Sequence, residues 1–122
     1  MADEFGIGTF HEGETQVATF TLVQGATETA VPLADISTAT LSLTDHAGNV
    51  INSRDAQDVL NANNVTVHDT SGLVTWTMQA GDTTLAEAVD GSAKFDARFV
   101  FTLTDGQVRH VHLRYTVEQG PH

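Results

Sequence analysis

Alternation in twos constrains this chain more than any other feature. "QVATFTLV" (16–23) points Ala18, Phe20 and Leu22 to one side and Thr19 and Thr21 to the other. "TATLSLT" (38–44) repeats the pattern with Ala39, Leu41 and Leu43, and "LVTWTM" (73–78) with Val74, Trp76 and Met78. "AKFDARFVFTL" (93–103) presents Phe95, Ala97, Phe99, Phe101 and Leu103. "VRHVHLRYTV" (108–117) presents Val111, Leu113, Tyr115 and Val117. Shorter strands are expected at Val50–Ile51 and Val65–Val67. Successive side chains on a strand point to opposite faces, and threonine suits the open face because it is β-branched. The pattern predicts an antiparallel all-β domain with one buried and one wet side to each sheet.

The last two strands can be set in register from the sequence. A two-residue Asp105-Gly106 turn would pair Leu103 with Val108 and Phe101 with His110. That arrangement places histidines among phenylalanines and turns Val111, Leu113 and Tyr115 outward. A slip of one residue exchanges the faces. A loop of Thr104, Asp105 and Gly106, with Gly106 in the left-handed position of a G1 bulge, resolves the conflict. It predicts Phe99 opposite Val111, Ala97 opposite Leu113 and Phe95 opposite Tyr115.

Two segments break the alternation. In "INSRDAQDVLNANNVTV" (51–67), Asp55 and Asp58 have the spacing of a helix N-cap and its third residue. Their charge suits the positive end of a helix. Ala56, Val59 and Leu60 would share a face, and the asparagines of "NANN" would end the turn. A helical turn here would plug the end of a sandwich while the chain crosses between sheets. Asp55 and Asp58 are also candidates for an exposed docking element. The second segment, "GDTTLAEAVDG" (81–91), has a capping-box pattern at Thr84 and Glu87 and an apolar set at Leu85, Ala88 and Val89.

The 122 residues suit a single domain, expected over 16–118, with 1–15 as an N-terminal arm or edge strand and 119–122 as a tail. Phe5, Ile7 and Phe10, set among glycines and acids, are interface candidates on that first segment. The absence of cysteine excludes disulfides and thiolate metal sites. The start "MADEFGIG" has no basic region followed by an apolar one, so no signal peptide is expected and synthesis in the cytoplasm is. No apolar run approaches the roughly 20 residues needed to span a bilayer. Sixteen acidic residues against five basic ones give a net charge of −11. Such a chain repels phosphate, which argues against nucleic acid and anionic membranes as partners. It also keeps unassembled copies apart in solution.

No motif for catalysis is present. Serine does not occur in G-x-S-x-G, and "GIG" (6–8) lacks the strand–loop–helix setting of a dinucleotide site. No cofactor is expected. His110 and His112, two apart on a strand, share a face as metal ligands do, and Asp96 on the preceding strand is the candidate third ligand. On the register above, the same histidines simply form part of a solvated polar face. Asp45 and Asn49 flank a turn whose chemistry needs no calcium.

Several stretches in order carry a resemblance. They are Phe10-His11-Glu12-Gly13-Glu14-Thr15, then Ala34 to Thr40, then a turn from Asp45 to Gly48. After these come a strand from Gly72 to Thr77, a polar corner at Asp82-Thr83, and a long final hairpin. The order resembles the immunoglobulin-like domain of tailed-phage virion proteins, notably the N-terminal domain of phage baseplate upper proteins. Isoleucine and serine at 36–37 and the 51–64 segment depart from that pattern. The resemblance implies an immunoglobulin-like antiparallel β-sandwich of seven to eight strands with one or two short helical turns. It implies a non-enzymatic structural or accessory role in a phage or phage-like particle, in the baseplate, tail, head decoration or fibre attachment. Partners would be other virion proteins, including further copies of itself. The alternatives are a metal- or glycan-contacting adhesion module and an accessory protein of an intracellular bacterial complex.

Overall fold

The protein was analysed as a computed structural model, in which residues 2–11, 15–24, 29–45, 48–83 and 92–118 are described. Strand β1 spans Ala2–His11, β2 Val17–Thr21, β3 Val23–Gln24, β4 Thr29–Ala30 and β5 Ile36–Asp45. They are followed by β6 at Gln57–Asp58, β7 at Val65–Val67, β8 at Leu73–Thr77, β9 at Ser92–Leu103 and β10 at Val108–Glu118. A five-stranded sheet has the order β1-β10-β9-β5-β6, and a three-stranded sheet the order β2-β8-β7. The pieces β3 and β4 form a small hairpin. Seven of these strands exceed two residues, which agrees with the expected all-β sandwich. Among the described residues no helix is long and apolar enough to cross a membrane.

The alternating residues meet between the sheets. Ala18, Phe20 and Leu22, with Val74, Trp76 and Met78, face Ala39, Leu41 and Leu43, the odd-numbered residues of β9, and Val111, Leu113, Tyr115 and Val117 of β10. All of these are buried. Ring centroids of Phe20 and Phe99 lie 5.2 Å apart and those of Trp76 and Phe99 5.6 Å apart, both edge to face. Such pairs add about 0.5–1.5 kcal/mol each beyond the burial of their area.

The final hairpin adopts the predicted register. Phe99 pairs with Val111, Ala97 with Leu113 and Phe95 with Tyr115. Gly106 has φ +91°, its N–H donates to the Leu103 carbonyl at 2.9 Å, and the Leu103 N–H donates to the Gln107 carbonyl at 2.8 Å. The left-handed glycine absorbs the extra residue and keeps both strands' apolar sides on one face.

The first strand departs from the all-antiparallel expectation. β1 runs parallel to β10, from Ala2 opposite His110 to His11 opposite Glu118, with a register shift between Gly6 and Gly8. The next strand, β2, belongs to the other sheet, so no hairpin dictates the direction of β1.

The 51–64 segment crosses between sheets as expected, but it is not helical. It leaves β5, adds Gln57 and Asp58 opposite Leu41 and Thr40, and enters β7 in the other sheet. Asn52, Ser53, Ala56, Asn61, Asn63 and Asn64 all have positive φ. Asparagine tolerates that conformation because its short polar side chain bonds locally, and those bonds compete with a helix. The Leu60 N–H donates to Asp58 Oδ1 at 3.1 Å, and Asn63 Nδ2 donates to the Asp58 carbonyl at 2.6 Å. Ala56 is exposed, so the expected apolar face reduces to Val59, which is buried, and Leu60, which packs on the core rim. In the second expected helical piece, Ala80–Thr83 form a short 3-10 turn. The remainder, with Thr84 and Glu87, lies outside the described residues.

Candidate functional site

The most built polar cluster joins the crossover to the turn after β8. Arg54 and Asp82 are both buried and meet in a two-pronged ion pair, Nε to Oδ1 at 2.5 Å and Nη2 to Oδ2 at 3.0 Å. The other guanidinium hydrogens reach Gln57 Oε1 at 2.8 Å, the Asn63 carbonyl at 3.2 Å and Asn64 Oδ1 at 3.4 Å. The carboxylate also accepts from Asn52 Nδ2 at 3.0 Å and the Gln79 N–H at 2.8 Å. The guanidinium carbon lies 5.7 Å from the centroid of the Trp76 ring, so the cation also rests on an aromatic face. Tyr115 Oη donates to the Asp82 carbonyl at 2.7 Å. Burial and then the Asp82 carboxylate push the Tyr115 phenol far above its ordinary range, while Arg54 pulls the other way. The phenol therefore stays neutral and acts as a donor. A Cβ at Gly81 would lie 2.7 Å from the Asn52 side chain, so the turn and crossover touch closely there.

This cluster organises the fold. A buried ion pair is retained only where further hydrogen bonds satisfy both partners, as they do here. Its chemistry is saturated by the protein's own groups. In the sequence Asp82 stands out only as half of a polar corner, and Arg54 does not stand out. One signal was available: an arginine amid an asparagine-rich crossover, in a chain with few cations.

The metal candidates lie on the outer face of the larger sheet. His110 pairs with Val100, His112 with Arg98, and Asp96 with Arg114. Each histidine thus faces a residue other than Asp96. Asp96 Oδ2 lies 3.9 Å from Arg98 Nη2. Among the described residues no group of three or more histidine, aspartate or glutamate side chains is placed to hold a metal ion. An open cleft of about 550 Å³ beside Gly8 is bordered by Thr44, Asp45, Lys94, Asp96 and Arg114. It presents charges of both signs on a sheet surface.

The interface candidates are dispersed. Phe5 and Ile7 sit on β1, and their side chains lie outside the described ones. Phe10 is half-buried, with its ring centroid 5.5 Å from that of Tyr115, so it closes the rim of the core. Asp55 and Asp58 are exposed on the crossover.

The sheet edges form the remaining surface, and they differ. β6 has only two residues. The edge of β7 is covered by the crossover itself: the Val65 N–H donates to the Ala62 carbonyl at 3.1 Å and the Val67 N–H to Asn61 Oδ1 at 2.7 Å. β1 and β2 each end a sheet with no further strand beside them among the described residues. Such edges offer N–H and C=O groups to another chain. No protein-family model matches this chain, and no curated protein does.

Proposed function

We propose that the protein is a non-enzymatic structural or accessory module of a tailed-phage or phage-like particle, working through contacts with other virion proteins and with copies of itself. It would be made in the host cytoplasm and incorporated into the particle at the baseplate, tail or head. The observation that carries this reading is the pair of sheet edges, β1 and β2, that no further strand covers among the described residues, on a sandwich whose other two edges are short or covered. An open edge is the usual means by which a β-domain adds a partner strand.

The strand order supports the immunoglobulin-like part of the proposal. In chain order β2, β5, β7, β8, β9 and β10 take the places of strands B to G, with B-E-D in one sheet and C-F-G in the other. Phe20 and Phe99 meet on the two strands that carry the inter-sheet disulfide of antibody domains. Two of the motifs behind the phage resemblance fall at structural corners, and a third forms β8. Asp45 to Gly48 closes the turn after β5, where the Gly48 N–H donates to the Asp45 carbonyl at 3.0 Å. Asp82 and Thr83 are both buried in the turn after β8.

Mass spectrometry of tailed particles purified from the source host tests the proposal. The expected result is this chain at a fixed ratio to the capsid or tail proteins. Its absence from washed particles, with the protein abundant in the soluble fraction, would refute the assignment.

A further inference from the structure

We infer that β2 is a self-pairing edge, through which two copies join their small sheets antiparallel about a twofold axis at Thr19. This rests on the reading above, that the chain works by protein contact, and deepens it by naming the strand and the partner.

The direction of the backbone groups follows from the ladder. The Met78 N–H donates to the Gln16 carbonyl at 2.6 Å, and the Leu22 N–H to the Gly72 carbonyl at 2.8 Å. Hydrogen-bonded pairs alternate along an antiparallel ladder, so Gln16, Ala18 and Phe20 point their backbone groups toward β8, as Leu22 does its N–H. Val17, Thr19 and Thr21 therefore aim theirs away from β8, at the open edge. No partner strand meets those groups among the described residues.

Charge identifies the occupant. Two chains at −11 repel each other over most of their surfaces. The outward residues of the small sheet are an exception. Val17, Thr19 and Thr21 on β2, Leu73, Thr75 and Thr77 on β8, and Thr66 on β7 include no charged group. Val17 is 63% exposed and Leu73 39%. Edge strands are normally blunted by lysine, proline, a bulge or inward charge. β1 has a register shift at Gly6–Gly8. "VATFT" in β2 has none of these devices. Paired about Thr19, each Val17 lies opposite the partner's Thr21, and the threonines at the axis can exchange hydroxyl hydrogen bonds. The contact is isologous: the same patch is used twice, and the joined sheet continues from β7-β8-β2 into its symmetric copy.

Sedimentation equilibrium across a concentration series reads the association directly, with Thr19→Pro and Thr19→Lys as variants. The Thr19 N–H points away from β8, so proline there removes no bond of the sheet itself. Lysine sets two like charges face to face at the axis. The expected result is a wild-type mass rising toward twice the 13.0 kDa of the chain. Association should strengthen as salt screens the mutual repulsion. Both variants should remain at the mass of one chain with unchanged circular dichroism. Amide exchange on the wild type supplies a variant-free measurement: the Val17, Thr19 and Thr21 N–H groups should become protected as concentration rises. A wild type still monomeric at concentrations on the order of 1 mM overturns the inference. So does a dimer that both folded variants retain, or one whose β2 amides stay unprotected. Those outcomes would leave the particle assignment standing, since that is read from the particles themselves.

Discussion

Replacing Arg54 with methionine isolates the buried ion pair of this fold's described residues. Methionine keeps most of the side-chain volume against Trp76 and removes both prongs to Asp82. It also removes the bonds to Gln57, the Asn63 carbonyl and Asn64. Asp82 would keep its bonds from Asn52 and the Gln79 N–H but remain a buried charge without a counter-ion. Breaking one side of a buried pair costs about 3–5 kcal/mol. That is a large share of the roughly 5–15 kcal/mol that holds a typical domain folded. For a chain of this size it corresponds to a fall in Tm on the order of 10–20 °C. Urea unfolding followed by circular dichroism measures the change as a lower midpoint at constant slope. Arg98→Met is the internal control, because Arg98 lies 3.9 Å from Asp96 with its side chain 55% exposed. That pair should contribute less than about 1 kcal/mol. The double variant Arg54→Met/Asp82→Asn should lose less than the sum of its parts, since it removes both charges. If Arg54→Met costs no more than Arg98→Met, the pair is not the clamp between crossover and turn that its geometry describes.

Two further outcomes follow from the same contacts. In the folded chain the Tyr115 phenol titrates far above its ordinary value of 10.0, so the unfolded chain loses this proton first as pH rises. The stability held by Tyr115 is therefore fully present below about pH 10 and declines above it, by up to about 1.4 kcal/mol per pH unit. Tyr115→Phe should flatten that alkaline slope in urea titrations while costing roughly 1 kcal/mol at neutral pH for the lost bond to Asp82. Gly72 has φ +73°, and a Cβ there would stand 2.5 Å from the Leu22 carbonyl oxygen. Gly72→Ala should thus lower Tm well beyond Gly106→Ala, whose Cβ would meet nothing within 4 Å and which costs only about 1 kcal/mol of backbone strain.

What could be read from the chain alone was whatever depends on near neighbours. Alternation in twos reports which side of a strand is apolar, and it identified the core residues of the long strands, though not Val31, Ile36 or Val59 of the connections and strand start, because burial selects one face at a time. The final hairpin was legible for the same reason: its strands are joined by a short loop, and of the tight-turn lengths only three residues, not two, puts both apolar faces together. Asp55 and Asp58 misled because their spacing suits a helix cap as well as the Asx turns that the asparagines around them prefer. Tertiary contacts settled that ambiguity. The Val59 N–H donates to the Ala39 carbonyl at 2.9 Å and Arg54 reaches Asp82 across 28 positions, so the segment is fixed from outside itself. The parallel pairing of β1 with β10 was also beyond local pattern, since its partner lies at the opposite end of the chain. Which edges stay open was decided in the same way, for an edge is defined by the strand that fails to arrive.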